Sequence, residues 1–309
     1  EVLRAGLAQL PASAAAPAPT VPKKTSKPVA EKPPAAPKAA AKKVASLSHL
    51  KQLGTAAMIY TADHDDTFMV TLAPSTVLNR YSSNALIPVP ADWPTGLTDA
   101  QLNVNRTFWI NNMAPYVKSS DLHKDLNSVS FDLSATFIPA VKPAGLKSYS
   151  FTYNGLLNGW SGTAITSPSD LPLFWNGRGK PAFTGAGYAN PYIECLDLTA
   201  PCQYVPASAS TCTSGNGQRS FISPNSRNLG YDLHSGGILF ARADGSAKWV
   251  KLGIGSTTPT SPLKDPFTRY NGTAVPSTGW MTQLGSTLCH AYLFRPDYDF
   301  VTQDPAGHF

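Results

Sequence analysis

"HSGGILFARADGSAKWV", His234 to Val250, is the stretch whose reading decides the fold. Two short runs of apolar and small residues flank an Asp-Gly pair. Asp244-Gly245 is a hairpin signal, because Asp and Gly tolerate the positive φ angles of tight β-turns. Ile238 and Phe240 fall on one side of the first strand, and Arg242 continues that side toward solvent. Leu239, Ala241 and Ala243 line the other side. After the turn, Ala247 and Trp249 share a face. His234 stands at the mouth of the first strand, beside Gly236 and Gly237. A strand advances about 3.3 Å per residue, so a His–Asp relay between His234 and Asp244 is not expected. Asp244 is read as a turn residue, and His234 as bonding nearby backbone or the helix upstream.

That helix is predicted over 39–62, in "KAAAKKVASLSHLKQLGTAAMIYTADHDD". Alanine, leucine, lysine and glutamine are strong helix formers. Leu47, Leu50, Gly54, Ala57 and Met58 recur mostly at three- and four-residue steps, which makes one apolar stripe. The small residues Gly54, Ala56 and Ala57 permit close approach of a sheet. Before the helix, residues 11–44 are mostly Ala, Pro and Lys, a composition that forms an extended spacer rather than a core. The predicted organisation is an arm over 1–38 and a globular domain over 39–309. Eight basic residues against Glu1 and Glu31 in the first 44 positions account for the whole formal charge of +6. The globular part is therefore neutral. Its aromatics are not interleaved with Arg or Lys, so no specific nucleic-acid recognition is expected.

Charged residues make up only 14% of the chain, well under the roughly 25% of an ordinary soluble domain, so loops and short strands should outnumber surface helices. Residues 70–105 read as loop with little strand. Residues 108–121 read as a short amphipathic helix interrupted at Pro115. Tyr149, Phe151 and Tyr153 alternate in a strand over 147–153, and Asn154-Gly155 turns it. A further strand is expected at 171–177. Residues 176–230 read as a long glycine-rich, cysteine-bearing insertion.

The candidate sites are few. Cys195, Cys202, Cys212 and Cys289 lack metal-binding spacing, and an even count in a loop-rich region points to disulfides and an exported protein. Four cysteines allow three complete pairings, and all stay open. Asp63, Asp65 and Asp66 form the densest acidic cluster, in "DHDDTF" around His64. Alternate carboxylates can chelate calcium, but the glycine and further ligands of a calcium loop are missing, so an acidic turn capping backbone donors is the plainer reading. No other cofactor is indicated. Asn105 and Asn271 open glycosylation triplets. Trp93, Trp160 and Trp175 offer a carbohydrate-binding surface, with core packing as the default. The sequence has no G-x-S-x-G elbow, phosphate loop or H-E-x-x-H. No run of 18 apolar residues is present to span a membrane.

Two separated blocks carry a resemblance. "SLSHLKQLGTAAMIYTADHDDTF" and the H-x9-DG spacing of His234, Asp244 and Gly245 together resemble bacterial type IV pilin-like proteins with a C-terminal H-x9-DG motif. "MAPYVKSSD" and "YSFTYNG" are similar to intermediate blocks of that family. Ser46 and His49 stand where the family usually has cysteine and asparagine. Asp125-Leu126-Asn127 stands where its Phe-x-Cys-Pro element falls. The apolar N-terminal helix of mature pilins is missing from this sequence. The resemblance implies an α+β pilin-like fold, an N-terminal helix on an antiparallel sheet, and no catalytic role for His234, Asp244 or Gly245. It implies a structural subunit of an extracellular or cell-surface filament, partnered by copies of itself or by another pilin-like subunit. A secreted cell-wall or glycan-binding module and a calcium-dependent hydrolase at Asp63–Asp66 are the alternatives.

Overall fold

The computed structural model describes residues 35–71, 73–75, 80–82, 86–132, 142–195, 202–206, 218–221, 233–252, 266, 268–270, 276–280 and 292–299. The chain divides after Pro34, four residues before the expected boundary, and every described residue belongs to the second unit. That unit begins with helix α1, Ala35–Asp63. It starts a turn earlier than predicted and includes Pro37. A proline is tolerated there because first-turn N–H groups have no intrahelical partner. Its buried side runs through Ser46, Leu50, Leu53, Gly54, Ala57, Tyr60 and Thr61. Leu47 and Met58, expected on the stripe, flank it half-buried.

Strands β1 (Ala73–Ser75), β2 (Arg80–Ser82) and β3 (Ile87–Pro88) follow, then helices α2 (Asp99–Thr107) and α3 (Trp109–Asn112). The expected loop over 70–105 is thus interrupted by short strands and by the start of a helix. Thr98 and Gln101 form a reciprocal capping box that opens α2. The helix expected over 108–121 is three pieces: α3 and two 3-10 turns at Ala114–Tyr116 and Ser120–His123. Pro115 lies within the first of those turns, where its ring fits the tighter winding.

Next come β4 (Val129–Phe131), β5 (Ser148–Tyr149) and β6 (Thr152–Tyr153). The single strand expected over 147–153 is therefore two, and they belong to different sheets. Strands β7 (Pro172–Trp175), β8 (Pro181–Thr184), β9 (Ala186–Gly187), β10 (Tyr192–Cys195) and β11 (Gln218–Phe221) occupy the stretch expected as a strand and a loop-rich insertion. From Ala186 to Ile193 every residue is buried, so this part of the stretch is interior rather than excursion. The opening hairpin supplies β12 (Gly237–Arg242) and β13 (Ala247–Lys251), and β14 (Thr268–Tyr270) and β15 (Pro276–Trp280) pair near the end.

The central sheet has the order β13-β12-β7-β6 and is antiparallel throughout. Helix α1 packs on β12, β13 and β7. All six residues of β12 are buried. Leu239 and Ala241 join the core shared with Leu50, Leu53 and Ala57 of the helix. On the opposite side Phe240 stacks on Trp175 with centroids 6.0 Å apart, and Trp175 meets Phe294 at 4.9 Å. Burial on both sides explains why the alternation in this strand is weak. Smaller sheets β1-β2-β10-β11, β3-β9 and β4-β8-β5 surround it, and only β4–β8 is parallel among their pairings. The architecture is α+β, and no described helix is long and apolar enough to cross a membrane.

Candidate functional site

The hairpin closes on a three-residue loop. Arg242 N donates to Ser246 O at 2.8 Å and Gly245 N to Arg242 O at 2.9 Å. Gly245 is left-handed at φ 77°, whereas Asp244 is not among the residues at positive φ. This corrects the expectation that both turn residues need positive φ. In a three-residue loop only the last does. Asp244 works through its side chain, whose Oδ1 accepts from Ser246 N at 2.8 Å. The turn lies against the helix. A Cβ on Gly54 would stand 3.5 Å from Gly245 Cα and 3.6 Å from Ala241 Cβ. The glycine of the helix block and the glycine of the H-x9-DG block therefore meet backbone to backbone.

His234 lies at the other end of β12, with its side chain fully buried. Its Nε2 is 2.6 Å from Asp125 Oδ2. This corrects the expectation that nearby backbone or the α1 helix supplies its side-chain partners. They come from the segment after the Ser120–His123 turn. Asn127 Nδ2 donates to Leu233 O at 2.9 Å and reaches His234 Nδ1 at 3.1 Å. The first bond fixes which end of the amide carries hydrogen, so Nδ1 accepts. The ring proton then sits on Nε2 and is donated to Asp125. Asn176, just past β7, donates to the same carboxylate at 3.0 Å, and its Oδ1 accepts from Leu239 N at 3.2 Å. Asn127 N donates to Asp125 Oδ1 at 2.7 Å.

The histidine is enclosed. Trp249 Nε1 donates to His234 O at 2.9 Å, so the indole of β13 lies back across the strand entry. A Cβ on Gly237 would come within 2.3 Å of that indole, which is why glycine stands there. Lys43 of α1 covers the outer face of Trp249, 3.9 Å from the ring centroid. Arg242 also departs from expectation. Instead of reaching solvent it is 7% exposed, and its guanidinium donates to Asp170 O. Desolvation holds its pKa below the ordinary arginine value, with the charges of Asp170 and Asp244 opposing.

Asp125, Asn127 and Asn176 are the members that sequence reading did not connect to His234. The one signal was that Asp125-Leu126-Asn127 replaces a family element. Ser46, another replacement, lies beside it: Ser46 Oγ accepts from Leu126 N at 2.9 Å. Chemically the cluster is a closed hydrogen-bond knot. Its His and Asp side chains have no exposed area through which a substrate could be reached.

The remaining candidates scatter. Asp65 and Asp66 are left-handed at φ 50° and 57°. Asp66 Oδ2 accepts from Thr163 N at 2.6 Å and from Ser161 Oγ at 3.3 Å, so it caps the turn that begins there. The pKa of the Tyr116 hydroxyl is raised, by desolvation first and by the nearby Asp63 carboxylate second. His64 stacks on Tyr60 at 3.9 Å and faces Tyr60 O through Nδ1. Among the described residues no three His, Cys, Asp or Glu side chains are grouped to hold a metal ion. Cys195 and Cys202 form a disulfide, while Cys212 and Cys289 lie outside the described residues.

Asn105 is corrected as a glycan acceptor. It is 6% exposed and its Nδ2 donates to Ala91 O at 2.9 Å, because the α2 helix turns it inward. Asn271 lies outside the described residues. None of the three candidate tryptophans stands exposed. Trp175 is fully buried, Trp93 is half-buried with its indole on Gly185 O, and Trp160 packs edge-on to Tyr204. Comparison with family models, curated proteins and solved structures finds no match to this chain.

Proposed function

We propose that this chain is a non-enzymatic structural subunit of an extracellular, pilus-like or surface filament, assembling with copies of itself or with a pilin-like partner. One observation carries the reading. The two sequence blocks that resemble the H-x9-DG pilin-like proteins are far apart in the chain, yet they touch at Gly54 and Gly245 through an N-terminal helix laid on an antiparallel sheet. Of the departures from the family pattern, Ser46 meets the Asp125–Asn127 segment through Leu126 N, and His49 faces Lys124 O just before it. The His234 knot supports the same reading, because both ring nitrogens of His234 and both carboxylate oxygens of Asp125 are bonded to other protein groups.

Electron microscopy of the purified chain, with and without residues 1–34, tests the proposal. Regular filaments from the full chain that disappear on deletion support an assembly subunit whose arm supplies intersubunit contacts. Monodisperse particles in both samples, with no co-assembly with a pilin-like partner, refute it.

A further inference from the structure

We infer that the outer edge of β4 is a docking site for a second copy of this chain, which adds its own β4 antiparallel across a two-fold axis at Ser130. The inference stands apart from the filament reading, because a two-fold pair closes on itself and propagates nothing. Strand β4 ends the sheet β4-β8-β5, and all three of its residues are exposed. Of the six large apolar side chains that stand exposed among the described residues, three fall within six positions: Leu126 at 39%, Val129 at 64% and Phe131 at 43%. Such a group on a sheet edge marks an interaction surface, whereas single exposed apolar residues are ordinary.

The backbone supplies the register. Strand β4 runs parallel to β8, with Val129 opposite Pro181 and Phe131 opposite Phe183, and Val129 N donates to Lys180 O at 2.8 Å. In a parallel ladder alternate residues turn both peptide groups to the same neighbour, so the N–H and C=O of Ser130 face outward. Two copies of Ser130 then exchange both bonds as a hydrogen-bonded antiparallel pair. Val129 stands opposite Phe131 of the second copy, twice, at the closer non-hydrogen-bonded positions, where an aromatic ring against a β-branched side chain is favoured. Ser130 and Asp132 point to the other face. There Lys124 Nζ donates to Ser130 Oγ at 3.0 Å, and the Asp132 side chain stays 69% exposed although its Oδ1 accepts from Lys142. The two-fold sets the Lys124 ammonium diagonal to Asp132 of the second copy, within reach of a long side chain. The edge is thus complementary to itself, apolar against apolar on one face and opposite charges on the other.

The test is sedimentation velocity of the full chain at rising concentration. A seam this short belongs with weak, transient contacts, so the expected result is a monomer–dimer equilibrium with a dissociation constant on the order of 100 µM. Val129→Lys and Phe131→Lys, at exposed positions, should each weaken the dimer at least about tenfold, because each substitution is made twice across the axis. Ser130→Pro should abolish it by removing the outward N–H, a change an edge strand tolerates, with circular dichroism confirming that each variant is folded. Ser130→Cys should give a covalent dimer under mild oxidation, since the paired Cα atoms would stand about 5.5 Å apart. Thr55→Cys, on the exposed side of α1, should not. The cross-link is read on a non-reducing gel against the wild-type chain, so it reports this contact whether or not filaments form. A chain that stays monomeric at every concentration, a dimer that survives Phe131→Lys or Ser130→Pro, or cross-linking no greater at Ser130→Cys than at Thr55→Cys overturns the assignment.

Discussion

Replacing Asp125 by Asn is the sharpest test of the knot around His234. The carboxylate accepts from three fixed donors: His234 Nε2, Asn176 Nδ2 and the backbone N–H of Asn127. Each is held in its role by a second bond or by the backbone, so none can turn round to accept. An amide has one oxygen for three donors and aims two N–H groups at them. His234 cannot relieve the conflict by moving its proton to Nδ1, because Asn127 Nδ2 already occupies that side. Removing one member of a buried charge-assisted pair costs about 3–5 kcal/mol, and the near-identical shape of Asn places Asp125→Asn at the lower end, about 3 kcal/mol. For a domain of this size that lowers Tm by roughly 6–12 °C. Urea unfolding of Asp125→Asn, His234→Ala and the double variant should give a coupling energy of at least about 1.5 kcal/mol. Two-bond ¹H–¹⁵N spectra should show the His234 proton on Nε2. An Asp125→Asn cost under about 0.5 kcal/mol, or strict additivity in the cycle, refutes the network.

Three further outcomes follow from the same structure. His123 has a folded pKa of about 3 against an ordinary 6.5, so the unfolded chain binds a proton that the folded chain refuses. Stability is full above about pH 6.5 and falls with pH below it, by about 2 kcal/mol between pH 7 and 5. His123→Phe should remove that part of the pH dependence of the urea midpoint. Gly54→Ala should be neutral or stabilising by up to about 1 kcal/mol, since its Cβ meets only ordinary contacts and alanine favours the helix. Gly54→Leu should cost at least about 2 kcal/mol by wedging the helix off the turn, and thermal melts of the two variants separate these signs. Replacing Cys195 and Cys202 together by serine should cost about 2–3 kcal/mol for a link seven positions apart, seen as a lower urea midpoint.

The elements legible in the sequence are those whose signal is local. Helix α1 announces itself by composition and stripe, and the β12–β13 hairpin by Asp244-Gly245. Helix α2 falls in a stretch that reads as loop, because its few apolar residues, Leu102 and Val104, make too weak a stripe; the capping pair Thr98 and Gln101 is its one local signal. Strands of two or three residues such as β5 and β6 have no period to detect, and an alternation that runs through both conceals the change of sheet. The site was read half correctly for a physical reason. Extended geometry rules out Asp244 as the partner of His234. The true partner, Asp125, is 109 positions away, and only the fold, which brings the segment after the Ser120–His123 turn to the entry of β12, selects it. Asn105 and Trp175 fail as surface sites for a related reason, since a triplet or an aromatic carries no mark of which way its element faces.

Helix α1 is one element by hydrogen bonding but two by anchorage. From Pro37 to Ala45 no residue is buried, and the first fully enclosed side chain is Ser46. Those nine residues span about 14 Å of helix. Lys43 over Trp249 is a single surface contact in this stretch, and a helix of that length is by itself only marginally stable in water. The first turns are therefore poised near their own melting point, while the turns beyond Ser46 open only with the sheet. Tension applied at the N-terminal end would unwind the first part as a compliant spring before any load reached the Gly54–Gly245 contact.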